Sequence, residues 1–200
     1  MEKVKYVLAS NNKKKLDELQ RILGSLGIEI TTAAAEGFEP IDPVEDGETF
    51  AENARIKAKA FAQLTNMPSI ADDSGLCVDA LGGAPGVITA RYAGDECDSD
   101  KNMDKLLAEL ADVPDEERAA QFVCSMCLIM PSGEEITADG ICEGFIAHER
   151  TGNGGFGYDP IFLLPDGRGF AEISPQEKDA VSHRGKALRL LAERIAAKKG

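Results

Sequence analysis

No apolar run in this 200-residue chain approaches the ~20 residues that span a membrane. Its opening, Met1-Glu-Lys-Val-Lys-Tyr6, lacks the apolar stretch of a signal peptide and leads directly into a strand-like segment. Basic residues are scarce: 22 Lys and Arg stand against 35 Asp and Glu, a net charge of −13. A field of that sign repels duplex DNA and anionic membranes. Polymeric nucleic acid and membranes are therefore not expected as partners, and a small anion is expected only where basic groups gather locally. No Walker A sequence, G-x-S-x-G elbow or H-E-x-x-H motif occurs. Internal repeats, low-complexity tracts and long linkers are also missing. With 43% hydrophobic and 28% charged residues, the composition is that of a folded globular protein. Residues 1–200 read as a single domain of two lobes. A chain of this size buries roughly 70% of its unfolded surface and needs no disulfide or metal staple.

Five cysteines, an odd number, fit a reduced, cytoplasmic setting better than a disulfide framework. Cys124 and Cys127 form a C-x-x-C, but zinc would want a second such pair or nearby histidines, and the chain has only His148 and His183. The pair also lies in Phe122-Val-Cys-Ser-Met-Cys-Leu-Ile-Met130, which reads as a buried strand with residues three apart on opposite faces. Small core side chains are the better reading.

Hydrophobic periodicity gives the order of elements. Val4 to Ala9 reads as a buried strand. Leu16, Leu19, Ile22, Leu23 and Leu26 mark one face of a helix from Lys13 to near Gly24 or Gly27, and Ile28 to Thr32 is a second strand. Thr49-Phe-Ala-Glu52 is a capping box opening a helix with Phe50, Ala54, Ala58, Phe61 and Leu64 on its apolar side. Ser69 to Ala71 reads as a short strand followed by a polar turn, Asp72-Asp-Ser-Gly75, and Gly82 to Gly94 as loop. Asp98 or Ser99 caps a further helix. Ala120 to Met130 and Glu134 to Ala147 form a hairpin around Pro131-Ser-Gly133. Ile161 to Leu164 is a short strand, Ser174-Pro-Gln-Glu177 is a second capping box, and a last helix starts near Ser182. This order predicts an α/β fold, a mixed β-sheet flanked by helices.

Several segments could carry chemistry. Ser10-Asn11-Asn12-Lys13-Lys14-Lys15 joins a strand to a helix start, where unpaired N–H groups and the helix dipole suit phosphate. An N-cap at Ser10 followed by solvated lysines is the plainer alternative. Asp72 and Asp73 follow a strand as adjacent carboxylates, costly unless a cation joins them, and such ligands suit Mg²⁺ with substrate phosphate. An Asx-turn is the alternative there. Glu45 and Asp46 offer further carboxylates. Gly152 to Gly157 spells G-x-G-x-x-G, but Asp-Pro and a strand-like run follow instead of a helix, so no dinucleotide fingerprint is assigned. What remains is a loop with an exposed aromatic pair, Phe156 and Tyr158, able to stack on a base. Lys178 and Ser182-His183-Arg184-Gly185-Lys186 gather donors for an acceptor-rich ligand. Together these features describe a nucleotide-like anion site with carboxylate-bound Mg²⁺.

Segments in one order resemble the inosine triphosphate pyrophosphatase family, also called XTP/dITP diphosphatases. They are Leu8-Ala-Ser-Asn-Asn-Lys-Lys-Lys15, Glu48-Thr-Phe-Ala-Glu-Asn53 with Lys57, and Ala71-Asp-Asp-Ser-Gly-Leu76. Gly83-Ala-Pro-Gly86 with Ala90-Arg-Tyr-Ala-Gly94, Gly155-Phe-Gly-Tyr-Asp-Pro-Ile-Phe162 and Ser182-His-Arg184 complete the set. The resemblance implies hydrolysis of deaminated purine triphosphates (ITP, dITP, XTP) to monophosphate and pyrophosphate, in two lobes with a central cleft, by a homodimer that uses Mg²⁺. It implies that Ser10, Asn12 and Lys15, within the loop Ser10 to Lys15, hold the triphosphate and that Lys57 adds a phosphate contact. Glu45 falls at a Mg²⁺ ligand position, with Asp46 and Glu48 as nearby alternatives. Asp73 resembles the general base and metal-linked carboxylate, and Ser74 a substrate contact. Phe156, Gly157, Tyr158 and Asp159 resemble the base-binding loop, with Phe156 stacking, and Lys178, His183 and Arg184 the donors that read the purine. Ile88-Thr89 departs from the family's usual aromatic and serine. A binding sensor with poor turnover, or a pyrophosphatase of pyrimidine or modified nucleotides, remains open.

Overall fold

The computed structural model describes residues 4–10, 12–39 and 41–199, with the side chains of Lys14 and Lys199 outside that description. Strands β1 (Val4–Leu8), β2 (Ile28–Thr32), β3 (Ser69–Val78), β4 (Ala119–Ile129), β5 (Glu135–Ile146) and β6 (Phe162–Leu163) form a sheet in the order β2-β1-β3-β4-β5-β6. β1 runs parallel to β2 and β3, whereas β6 is antiparallel to β5. The predicted mixed sheet flanked by helices is thus the observed fold. Helices are α1 (Lys13–Leu23), α2 (Phe50–Thr65), α3 (Ser99–Glu109), α4 (Pro175–Val181) and α5 (His183–Lys199). By contact the chain divides into two compact units: residues 1–73, 124–140 and 184–200, and residues 74–123 and 141–183.

In the first unit, strand alternation sorts the core onto two sheet faces. Tyr6, Leu8 and Ile70 pack with Cys124, Met126 and Leu128 under Leu19 and Leu23 of α1 and Leu188 and Leu191 of α5. Val7, Ala9, Ala71, Cys127 and Ile129 pack under Ala54, Ala58 and Phe61 of α2. Cys124 and Cys127 therefore face opposite ways, as their spacing predicts. Burial pushes the Cys127 thiol up to about 12 and that of Cys124 higher, which leaves both inert as nucleophiles. Both predicted capping boxes form: Thr49 Oγ1 accepts from the Glu52 N–H at 3.2 Å while Glu52 Oε2 accepts from the Thr49 N–H at 3.0 Å, and Ser174 and Glu177 do the same at α4.

β3 is longer than expected. Asp72-Asp-Ser-Gly75 is not a turn but the middle of the strand. Local composition favours a turn there, and the sheet overrides it. Gly82 to Gly94 is not plain loop either: it carries a 3₁₀ turn over Gly86–Arg91, and Ala84-Pro85 is a cis peptide.

The second unit packs Leu76, Phe122, Ile146, Ile161, Phe162 and Phe170 in one cluster. Among the buried charged residues of this unit is Arg118, which is 2% exposed. The guanidinium donates to the carbonyls of Ile146 (2.8 Å), Leu110 (2.6 Å), Val113 (3.3 Å) and Ala147 (2.9 Å). It closes the α3–β4 connection against the end of β5 and gives these carbonyls a buried donor. Arg118→Met should lower unfolding free energy by about 3 kcal/mol or more, since each buried carbonyl left unpaired costs roughly 1–3 kcal/mol. Urea unfolding monitored by circular dichroism measures this, and a change under 1 kcal/mol would be incompatible with the network.

Candidate active site

Because adjacent strand residues face opposite ways, Asp72 and Asp73 do not share a cation. Asp72 lies on the α1/α5 face of β3 and Asp73 on the α2 face, so each builds its own cluster.

On the first face Asp72 is buried between two cations: Lys15 Nζ lies 2.8 Å from Oδ1 and Arg184 Nε 3.1 Å from Oδ2. Glu18 adds a carboxylate oxygen 3.4 Å from Arg184 Nη1. Burial alone would raise the Asp72 carboxyl, but Lys15 and Arg184 outweigh it and hold the group well below the usual carboxylate range. The start of α1 is built by Asn12, not Ser10: Asn12 Oδ1 accepts from the Lys15 N–H at 3.3 Å, while Ser10 Oγ accepts from the Asn12 N–H at 3.2 Å. No acidic residue occupies the first turn of α1, leaving its N-terminal dipole facing lysines. Lys13 is exposed; Asn11 and the side chain of Lys14 lie outside the described residues.

On the second face Lys57 is the hub. Its ammonium bonds Glu45 Oε2 at 2.7 Å and Asp73 Oδ1 at 3.0 Å, and its side chain is only 12% exposed. Burial disfavours the Lys57 charge, yet Asp73 and Glu45 outweigh it and raise its pKa. Asp73 moves up instead: burial raises it and Glu45 adds to that, against the pull of Lys57. Asp46 and Glu48 are exposed, so of the three candidate carboxylates Glu45, Asp46 and Glu48 it is Glu45 that reaches Lys57. Sequence reasoning missed Asn53. It is 3% exposed, donates from Nδ2 to Asp73 Oδ2 at 3.3 Å and accepts at Oδ1 from the Gly47 N–H at 2.9 Å.

The remaining predicted residues lie in the second unit. Phe156 is 43% exposed, whereas Tyr158 is 5% exposed and donates its hydroxyl to the Thr89 carbonyl at 2.8 Å. The expected exposed aromatic pair is thus a single exposed ring, because the tyrosine finds a buried acceptor. Asp159 is buried and cinches the loop: Oδ2 accepts from the Phe156 N–H at 2.7 Å and from the Lys178 ammonium. Gly155 is required beside it, since a Cβ there would stand 1.9 Å from Asp159 Oδ2 and φ is +77°. Lys178 lies over the rings of Phe156 (5.0 Å) and Phe170 (4.8 Å), a cation–π arrangement. His183 is buried and stacked on Phe122 at 4.9 Å. Gly157 follows with φ +62°, and Ser74 continues β3. The literal G-x-G-x-x-G ends in a turn and a 3₁₀ segment at Asp159–Ile161, not a helix.

The chain is similar to known proteins over nearly its whole length. The model of the Ham1 family matches residues 6–194. A dITP/XTP pyrophosphatase of Corynebacterium efficiens is 50% identical over 202 residues, covering 96% of this chain and 98% of that protein. One from Streptomyces coelicolor is 48% identical over 188 residues, covering 92% and 94%. Among solved structures, the Staphylococcus aureus Ham1 protein superposes with a TM-score of 0.88 at 38% identity, over 97% of this chain and 99% of that one. A nucleoside-triphosphatase / dITP/XTP pyrophosphatase from Mycobacterium abscessus gives 0.78 at 46% identity, over 94% and 97%.

The opposite shifts of the two aspartates make a stability prediction. A carboxyl held low in the fold contributes stability above its unfolded pKa of about 3.9 and loses it as pH falls through the folded value. Asp72→Asn should therefore destabilise at pH 7 by about 3–5 kcal/mol, the cost of stranding a buried guanidinium. The gap from wild type should shrink below pH 4. Urea titrations at pH 7 and pH 3 measure both; an equal gap at the two values would rule out the charged role of Asp72.

Proposed function

The chain belongs to the Ham1 family, and from that premise we propose that it hydrolyses deaminated purine nucleoside triphosphates, dITP, ITP and XTP, to the monophosphate and pyrophosphate, clearing them from the nucleotide pool. The observation that carries this reading is the pair of carboxylates, Glu45 and Asp73, gathered on one buried ammonium. A pure binding module has no use for such a pair.

The triphosphate is met by the N-terminus of α1 with Ser10, Asn12 and Lys15, and by Lys57. Two carboxylates within bonding distance of the same cation fit Mg²⁺, which takes one or two carboxylates and completes its shell with phosphate and water. Glu45 and Asp73 would hold the ion, which when bound supplies neutralisation of phosphate charge. Asp73, with its pKa raised, is the group that takes the proton from the attacking water. The water oxygen bonds to the α-phosphorus as the bond to the bridging oxygen breaks, and pyrophosphate leaves. Lys15 and Lys57 stabilise the charge that develops on the phosphates.

The base stacks on Phe156. Lys178, His183 and Arg184 supply donors for the 6-keto oxygen of hypoxanthine or xanthine. Lys178 and Arg184 carry three and five N–H groups and no acceptor, the chemistry a keto oxygen calls for. Adenine presents an amino group at that position and leaves donors facing a donor, a penalty of roughly 1–3 kcal/mol.

Products formed from dITP, XTP, dGTP, dATP and dTTP, with Mg²⁺ and with chelator, test the reading. Metal-dependent monophosphate and pyrophosphate from dITP and XTP are expected. Orthophosphate release would mean a different chemistry, and tight binding without turnover a sensor. Asp73→Asn should abolish turnover with no loss of stability, since it removes a carboxyl that burial disfavours; near-normal activity would remove Asp73 from the base role.

A further inference from the structure

We propose that Asn53 is a positioning residue: its carboxamide sets the carboxylate of Asp73 and the loop bearing Glu45 into one arrangement. The inference rests on the catalytic reading of Asp73 and extends it to a side chain that touches no substrate.

The orientation of the Asn53 amide is fixed by its neighbours. The Gly47 N–H can only donate, so the atom facing it at 2.9 Å is the carbonyl oxygen Oδ1. The NH₂ group then faces Asp73 Oδ2, at 3.3 Å. Lys57, one turn further along α2, takes the other oxygen, Oδ1. Asp73 is thereby held at both oxygens by two residues four apart on one helix, and rotation about its terminal bond would break both contacts.

The same carboxamide anchors the loop that carries Glu45. The N–H of Gly47 goes to Asn53, and those of Glu48 and Thr49 go to Glu52 Oε2 at 2.8 and 3.0 Å. Three consecutive main-chain donors are thus held by two neighbouring side chains at the start of α2. Gly47 is part of the fit. A Cβ there would stand 2.7 Å from Asn53 Oδ1 and 2.7 Å from the Glu52 Cβ, so any larger residue displaces the carboxamide. Asn53 is 3% exposed, so water does not replace its bonds.

Asn53→Asp separates positioning from anchoring. The aspartate is isosteric and still accepts from Gly47, so a residue that merely pins the loop tolerates it. Toward Asp73 it offers an oxygen where an N–H stood, and the carboxylate is pushed out of place. The expected result is a folded protein whose kcat for dITP falls by about 10–100-fold, the range typical of an outer-layer partner of a reactive carboxylate. KM should change by less than about threefold, because the triphosphate loop keeps its contacts. Gly47→Ala, which moves the carboxamide from the other side and leaves Asn53 intact, should lower kcat in the same way, by roughly fivefold or more. Wild-type kcat in Gly47→Ala, or in a folded Asn53→Asp, overturns the proposal, as does a loss confined to KM. Asp73→Asn is run beside them: if it stays active the catalytic reading itself has failed, whereas an inactive Asp73→Asn with wild-type kcat in both other variants removes the role of Asn53 alone.

Discussion

The pleat of one strand governs this site. β3 passes through Asp72 and Asp73 without a break, and the alternation of side chains sends two chemically identical groups into different surroundings. Asp72 meets Lys15 and Arg184 and stays charged as a structural counter-ion. Asp73 meets one ammonium and a second carboxylate, and burial together with Glu45 raises its pKa. Environment divides the labour between neighbours, which is how a pair of carboxylates comes to hold separate roles.

Each cluster is also a statement about charge balance inside a strongly acidic protein. The −13 net charge would repel a triphosphate, yet the basic groups that count are gathered by buried or half-buried acids. Lys15, Lys57 and Lys178 each have a carboxylate partner that fixes the ammonium in place. Such pairing lowers the entropy lost when a ligand arrives, because long side chains are already ordered. In the second unit Asp159 extends the same logic to an aromatic ring, holding the Phe156 backbone and Lys178 together.

Much of this was legible in the sequence because its causes are local. Thr49 to Glu52 and Ser174 to Glu177 announce helix starts through contacts three residues apart, and the leucine spacing of α1 marks its buried stripe. The helix-start loop at Ser10 to Lys15 could likewise be picked out by residue type, whereas Lys57 stood out only through the family resemblance. What failed was decided by distant partners. Asp72 to Gly75 has the composition of a turn, and only pairing within the sheet makes it strand. Tyr158 looked like the twin of Phe156 until its hydroxyl found a carbonyl 69 residues away. Arg118 follows Asp115-Glu-Glu117 and reads as surface, but its four acceptors come from segments up to 29 residues off. Asn53 closes one of the segments shared with the family, but its role is not legible there, since an asparagine in the second turn of a helix means little until Gly47 and Asp73 stand on either side of it.

The strand register has a consequence for how such a sequence can vary. A single-residue insertion or deletion between Ser69 and Asp72 would turn every later side chain of β3 to the opposite face. The two aspartates would then exchange environments, Asp72 arriving beside Lys57 and Asp73 beside Arg184. Each would still be an aspartate and the count of charges would be unchanged. Length in that stretch is therefore as much a part of the chemistry as the residues themselves.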